Sequence, residues 1–218
     1  LISRAALTVG AERTLPPPPP WSPQGAPRRA GCVPRRENDG GRFVFTCDGE
    51  LPGRVWQHVL SNGSTGYIAA DCGMGYMWFE NAREMRITAP PADINGTEGS
   101  EALWCDTAGE RVSLFAAGDG RRCRVCYAPG YASWEKDLGA RRVKTTAFIP
   151  ADTDARVFII EGAAGLRLSW AVKPVMGAPD ARAVRIEARG GALQCTNPES
   201  YLPGAEAVMV CSLPCETS

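Results

Sequence analysis

The sequence predicts an all-β domain of many antiparallel strands, a large antiparallel β-sandwich of two packed sheets behind a proline-rich N-terminal arm. Three observations lead there. From about residue 41 onward the apolar residues come in short runs, punctuated by Gly, Pro, Asn and Asp every ~8 to 12 residues, the spacing of a sandwich or barrel. Several of these runs alternate apolar with polar side chains, as a half-buried strand does. No segment in this part keeps a 3.6-residue apolar period long enough to make an amphipathic helix.

Taken in order, residues 2 to 9 read as a short helix, and "TLPPPPPWSPQGAPRRAG" then breaks regular structure, because proline fixes φ and lacks the N–H. The proline run favours a polyproline II spacer, which makes residues 1–40 an arm or linker and 41–218 the β-sandwich domain. Strands are expected in "RFVFTCD", "GYIAADC", "YMWFE", "EMRIT", "EALWCD", "RVSLFAA" and "RRCRVCYAP". "RRVKTTAFIP", "ARVFIIEG", "LRLSWAVKPV", "AVRIEARGGALQCTN" and "AVMVCSL" continue the series. The last forty residues read equally as a closing strand pair or as the start of a linker.

Acidic and basic residues balance at 24 each, so net charge steers the protein toward neither nucleic acid nor an anionic membrane. No apolar run is long enough to span a bilayer. Nine cysteines, an odd number without framework spacing, read as buried thiols of a cytoplasmic protein. Cys123 and Cys126 have the spacing of half a zinc site, but neither a second such pair nor a His lies nearby, and no metal is expected. Asn62 and Asn95 begin glycosylation-type triplets that read better as Asn-Gly turns.

Chemistry is sparse. His58 is the single histidine, in the apolar "VWQHVLSN", and reads as a packed residue rather than a general base. "GMGYM" lacks the helix that a phosphate loop needs. In "FENAREMRIT", Glu80 and Glu84 interleave with Arg83 and Arg86. A guanidinium neighbour favours an ionised carboxylate, so ion pairs holding a turn are the better reading than a glycosidase acid. Tyr76 and Trp78 lie two apart and share a strand face, with Phe79 on the other. That aromatic pair suits either a sugar ring, with Asn81 or Arg83 bonding its hydroxyls, or the space between two sheets. Tyr76, Trp78, Asn81, Arg83, Glu84 and Arg86 are the candidate sugar-binding or interdomain residues, and none is assigned a catalytic role.

The order Trp56-x-x-x-Leu60-x-Asn62-x-x-x-Gly66, Gly73-x-Gly75-Tyr76-x-Trp78 and Asn81-x-Arg83-Glu84-x-Arg86-Ile87-Thr88 resembles the opening of glycoside hydrolase family 94. That family, formerly glycosyltransferase family 36, holds cellobiose and chitobiose phosphorylases and part of the cyclic β-1,2-glucan synthases. "KTTAFIPADTDARVFIIEG" is similar to its later strands, and "APPAD" after "RIT" points to the glucan-synthase-like branch. The resemblance spans roughly residues 42 to 175. It implies a galactose-mutarotase-like supersandwich that precedes a helical linker, an α/α barrel and a small C-terminal β domain. It also implies an inverting phosphorolysis of β-glucosides or oligosaccharides in which an Asp of the barrel is the general acid and inorganic phosphate, as co-substrate, is the nucleophile. On that reading this fragment carries no cofactor and no catalytic residue; it supports the barrel of its own chain and a homodimer, and it borders the sugar site. A free-standing carbohydrate-binding module is the alternative. A mutarotase-like enzyme ranks last, since it needs His and Glu as an acid and base pair and the chain has one His.

Overall fold

The computed structural model describes residues 2–6, 28–29, 35–39, 41–73, 75–90, 101–177 and 183–212, the first three segments as backbone. Among these residues the chain forms eighteen strands and no α-helix. They are β1 (Ile2–Ala6), β2 (Arg28–Arg29), β3 (Arg35–Asp39), β4 (Arg42–Asp48), β5 (Leu51–Pro52), β6 (Gln57–Ser61), β7 (Thr65–Ala70), β8 (Met77–Phe79) and β9 (Glu101–Thr107). Then follow β10 (Glu110–Ser113), β11 (Arg122–Ala128), β12 (Tyr131–Asp137), β13 (Arg142–Phe148), β14 (Ala155–Glu161), β15 (Arg167–Val172), β16 (Arg185–Arg189), β17 (Ala192–Thr196) and β18 (Glu206–Val210).

The main sheet has ten strands in the order β16-β17-β18-β1-β14-β13-β12-β11-β4-β3, and its central strands are an antiparallel meander. One face of that meander is the core. In register across it run Phe45, Val125, Trp134 and Thr145, and beside them Cys47, Cys123, Lys136 and Val143, all buried. Two three-stranded sheets, β6-β7-β8 and β10-β9-β15, contribute buried side chains to the same core. Trp134 Nε1 donates to the carbonyls of Ala70 (3.1 Å) and Asp71 (3.0 Å), which ties the main sheet to the end of β7. Tyr127 Oη donates to the Trp56 carbonyl at 2.7 Å, just ahead of β6.

Three expectations change and one open choice is resolved. Residues 2–6 are strand rather than helix: β1 lies parallel between β14 and β18, and two strand edges outweigh the helix propensity of a short segment. β3 pairs with β4, so the sheet reaches back past residue 41. Residues 84–88 make only isolated bridges, from Arg86 to Trp78 and from Thr88 to Pro174, because a turn at 82–84 redirects the chain. Among the described residues of the last forty, 185–210 form the β16–β18 meander, the strand reading of the two left open. β12 is an addition: the polar residues of "YASWEKD" mask it, and its inward Lys136 is satisfied by Asp119 at 2.8 Å and the Phe115 carbonyl at 3.3 Å.

Several acids are raised by the core. Burial pushes the Cys195 thiol up to about 11, and burial likewise raises the Cys105 and Cys123 thiols and the Tyr127 phenol. Tyr67 is raised first by burial and then by the Glu101 carboxylate. For such groups the unfolded chain loses its proton first, so the stabilisation is whole below the unfolded value and is lost as pH climbs toward the folded one. The urea midpoint is therefore expected to hold up to about pH 8 and to fall steadily toward about pH 11. A midpoint that stays flat through that window would refute the assignment.

Candidate functional site

The β6-β7-β8 meander has one inward and one outward row of side chains, and its register shows which is which. Leu60, Tyr67 and Met77 stand opposite one another and are buried. Ser61, Gly66 and Trp78 make the adjacent row, with Val59 opposite Ile68, and this is the outward side. Phe79 is buried, whereas Tyr76 and Trp78 are half-exposed. The aromatic pair therefore sits on the outer face, and Met77 and Phe79 do the packing between sheets.

Two glycines make this face possible. A Cβ on Gly66 would come 2.0 Å from Trp78 Cζ2, so the indole rests against backbone that has no side chain. A Cβ on Gly75 would come 1.6 Å from the Ile68 carbonyl oxygen, while the Ile68 N–H donates to the Tyr76 carbonyl at 3.0 Å. The Tyr76 and Trp78 rings lie 5.7 Å apart at 48°, and the Arg86 guanidinium lies 5.9 Å from the Tyr76 ring centre. Arg86 Nε donates to the Ala82 carbonyl at 3.1 Å, which anchors the guanidinium beside the aromatic pair.

The turn after β8 is held differently from the ion-pair expectation. Glu80 takes a left-handed φ of 56°, and Asn81 Oδ1 then accepts the N–H groups of Arg83 (2.8 Å) and Glu84 (3.0 Å). Arg83 Nε and Glu84 Oε1 are 3.4 Å apart with side chains 87% and 50% exposed, a pairing that solvent screens. The Asn81 carboxamide organises the turn, and Arg83 and Glu84 are presented to solvent. Of the six candidate residues, the structure brings Tyr76, Trp78 and Arg86 together, uses Asn81 for turn geometry, and leaves Arg83 and Glu84 at the tip.

Behind this face lies a buried charge pair. Thr88 Oγ1 accepts the Met77 N–H at 2.9 Å and donates to Glu101 Oε1 at 3.2 Å. Arg156 Nη1 meets the same oxygen at 2.7 Å, with both charged side chains at most 2% exposed. The guanidinium is caged by the rings of Tyr67 (4.4 Å), Phe158 (4.8 Å) and Trp170 (5.4 Å). The signal for it was a charge at an inward position of two apolar runs, "EALWCD" and "ARVFIIEG".

A family model described as glycosyl hydrolase 94, supersandwich domain, matches residues 43–161, just over half of the chain. The chain belongs to that family. No curated protein matches it. Enzymes of glycosyl hydrolase family 94 are phosphorylases that use phosphate, which sets the carbohydrate context of the domain. The matched span runs from Phe43 in β4 to Glu161 at the end of β14 and takes in the whole outward face.

Other residues of the supersandwich motif have structural work to do. Asn62 Nδ2 donates to the carbonyls of Pro150 (2.9 Å) and Thr153 (3.1 Å), and its Oδ1 accepts the Thr65 N–H at 2.9 Å. Ser64 and Thr65 both donate to Asp154, so the turn before β7 is clamped to the turn before β14. Asn62 is thus a turn residue in a half-buried network, and Asn95 lies outside the described residues. His58 stacks on Tyr127 at 5.3 Å with Nε2 2.9 Å from the Ala128 carbonyl, a packed histidine. Cys123 and Cys126 occupy opposite faces of β11 and enter different apolar clusters, so they share no metal. Among the described residues no three potential metal ligands gather.

Proposed function

We propose that this supersandwich is the non-catalytic N-terminal domain of an inverting β-glycoside phosphorylase or cyclic β-glucan synthase-like enzyme. Its outward Tyr76–Trp78–Arg86 face supports assembly with the α/α barrel of the same parent chain and with a second subunit, at the rim of the sugar site. The part-buried aromatic pair carries the reading: the Trp78 ring held outward over Gly66, with the Tyr76 ring beside it and an anchored guanidinium next to that, has the composition of an interface centre. The exposed side chain of Val59 and the half-buried Ile68 extend the same face. Buried thiols at Cys105, Cys123 and Cys195 fit a cytoplasmic setting.

The chain alone, given cellobiose or a β-1,2-glucan with phosphate, is expected to release no sugar 1-phosphate. In the enzyme that carries the domain, Trp78→Ala is expected to weaken assembly by about 2 kcal/mol, roughly thirtyfold, beyond the smaller loss of stability that the melting temperature of the isolated domain registers. Turnover by the chain alone, or unaltered association and activity in the variant, would refute the proposal.

A further inference from the structure

The ten-stranded sheet ends on an unfinished row. β18, β17 and β16 lead out to its edge, and their register aligns Ala207, Cys195 and Ile186. Ala207 and Cys195 are buried in the core, whereas Ile186, the next residue on the same face, is 54% exposed. The neighbouring row runs from Met209 through Leu193 to an exposed Ala188. All five residues of β16 are exposed, and among the described residues no strand pairs with its other side. Its backbone is placed to accept one. Gly190 and Gly191 make a two-residue turn, with φ of 55° and 80°, so Arg189 and Ala192 are the hydrogen-bonded pair that closes the hairpin. Alternation then commits the N–H and C=O groups of Arg185, Glu187 and Arg189 to β17 and aims those of Ile186 and Ala188 out of the sheet.

We infer that β16 is a self-association edge, which pairs antiparallel with β16 of a second copy of this chain about a two-fold axis at Ile186. The charges select that axis. An axis at Arg185 sets the two Arg185 side chains against each other, and one at Glu187 does the same with the two Glu187 carboxylates. An axis at Ala188 puts Ile186 opposite Gly190, in the turn. With the axis at Ile186, the two Ile186 side chains meet, each Arg185 faces the other copy's Glu187, and each Ala188 faces the other copy's Val184. The Ile186 pair then exchanges both N–H···O=C bonds, which satisfies the groups aimed out of the sheet. The core row Ala207–Cys195–Ile186 is continued by its own symmetry mate. Edges that resist pairing carry an inward charge, a proline or a bulge. The core-side residues of β16 are Ile186 and Ala188, and its charges all lie on the other face. β16 lies outside the span 43–161 matched by the family, and it belongs to a different sheet from Trp78.

Sedimentation velocity of the whole chain over a concentration series is expected to show a monomer–dimer equilibrium. Arg185→Glu alone sets carboxylates against each other at both symmetric contacts, and Glu187→Arg alone sets guanidiniums there, so each is expected to weaken the dimer about tenfold or more. An equimolar mixture of the two variants restores opposite charges at both contacts and is expected to dimerise as the native chain does. Both positions are exposed, and the Glu187–Arg189 pair that Glu187→Arg removes is screened by solvent, so the urea midpoint of each variant should match that of the native chain. Trp78→Ala should leave this dimer intact, which separates the two surfaces. A native chain that stays monomeric throughout the series, single variants that dimerise as it does, a mixture no more associated than its components, or a dimer lost in Trp78→Ala would overturn the inference.

Discussion

Glu101→Gln is expected to destabilise the domain by about 3–5 kcal/mol, the range for breaking a buried ion pair from one side. Gln preserves the shape of the side chain and one acceptor for Thr88 and Arg156 but removes the charge. The Arg156 guanidinium is then left among Tyr67, Phe158 and Trp170, where no solvent reaches it. Ring quadrupoles recover only a small part of what the carboxylate supplied. Arg156→Met should cost a comparable amount, since it strands the carboxylate instead. The double substitution Glu101→Leu with Arg156→Met is expected to recover most of the loss, as replacing both charges by apolar groups often does. Urea unfolding followed by tryptophan fluorescence measures all three. Single variants that each lose under about 1 kcal/mol would mean that the pair is far better solvated than its burial indicates.

Gly75→Ala is expected to cost about 3 kcal/mol, the upper end for overpacking, and to disorder the outward face along with it. The obstacle is the Ile68 carbonyl, part of the β7 backbone, so no rotamer change clears it. Either β7 moves or the Ile68 N–H loses the Tyr76 carbonyl, and both displace Tyr76 and Trp78. Near-UV circular dichroism should lose aromatic signal together with the fall in urea midpoint. Gly66→Ala meets the indole of Trp78, which can swing away, so it should cost less stability while still disturbing the face. Equal stability of Gly75→Ala and the native chain would show that the meander has slack which its geometry denies.

Much of the fold could be read from spacing. The runs at 42–48, 101–107, 142–148 and 155–161 are strands as their alternation indicates. Lys136 shows why β12 was hidden: an amine at a core position looks like a surface residue until Asp119 and the Phe115 carbonyl come to it from elsewhere in the chain. "EMRIT" shows the reverse, an alternating pattern that Asn81 turns aside before it can pair as a strand. For the site, parity placed Tyr76 and Trp78 on one face, but both that face and the Met77–Phe79 face are apolar, so inward and outward were indistinguishable. The bare Gly66 opposite Trp78 resolves the choice, and that pairing is a fact of register, not of local sequence.

The position of β1 constrains the order in which the molecule can be made. Ile2 pairs with Glu206 and Arg4 with Ala155, so β1 is the seam joining β18 to β14. The partners are on the order of 200 residues apart in one case and 150 in the other, separations at which closing the chain is slow although its entropic cost grows only logarithmically. On a ribosome, the β11–β14 meander can zip up from local hairpins and take on β4, while β1 waits for β18 to be synthesised. The ten-stranded sheet is therefore a late product, and until the seam closes β14 carries an unpaired edge that a neighbouring nascent chain could take.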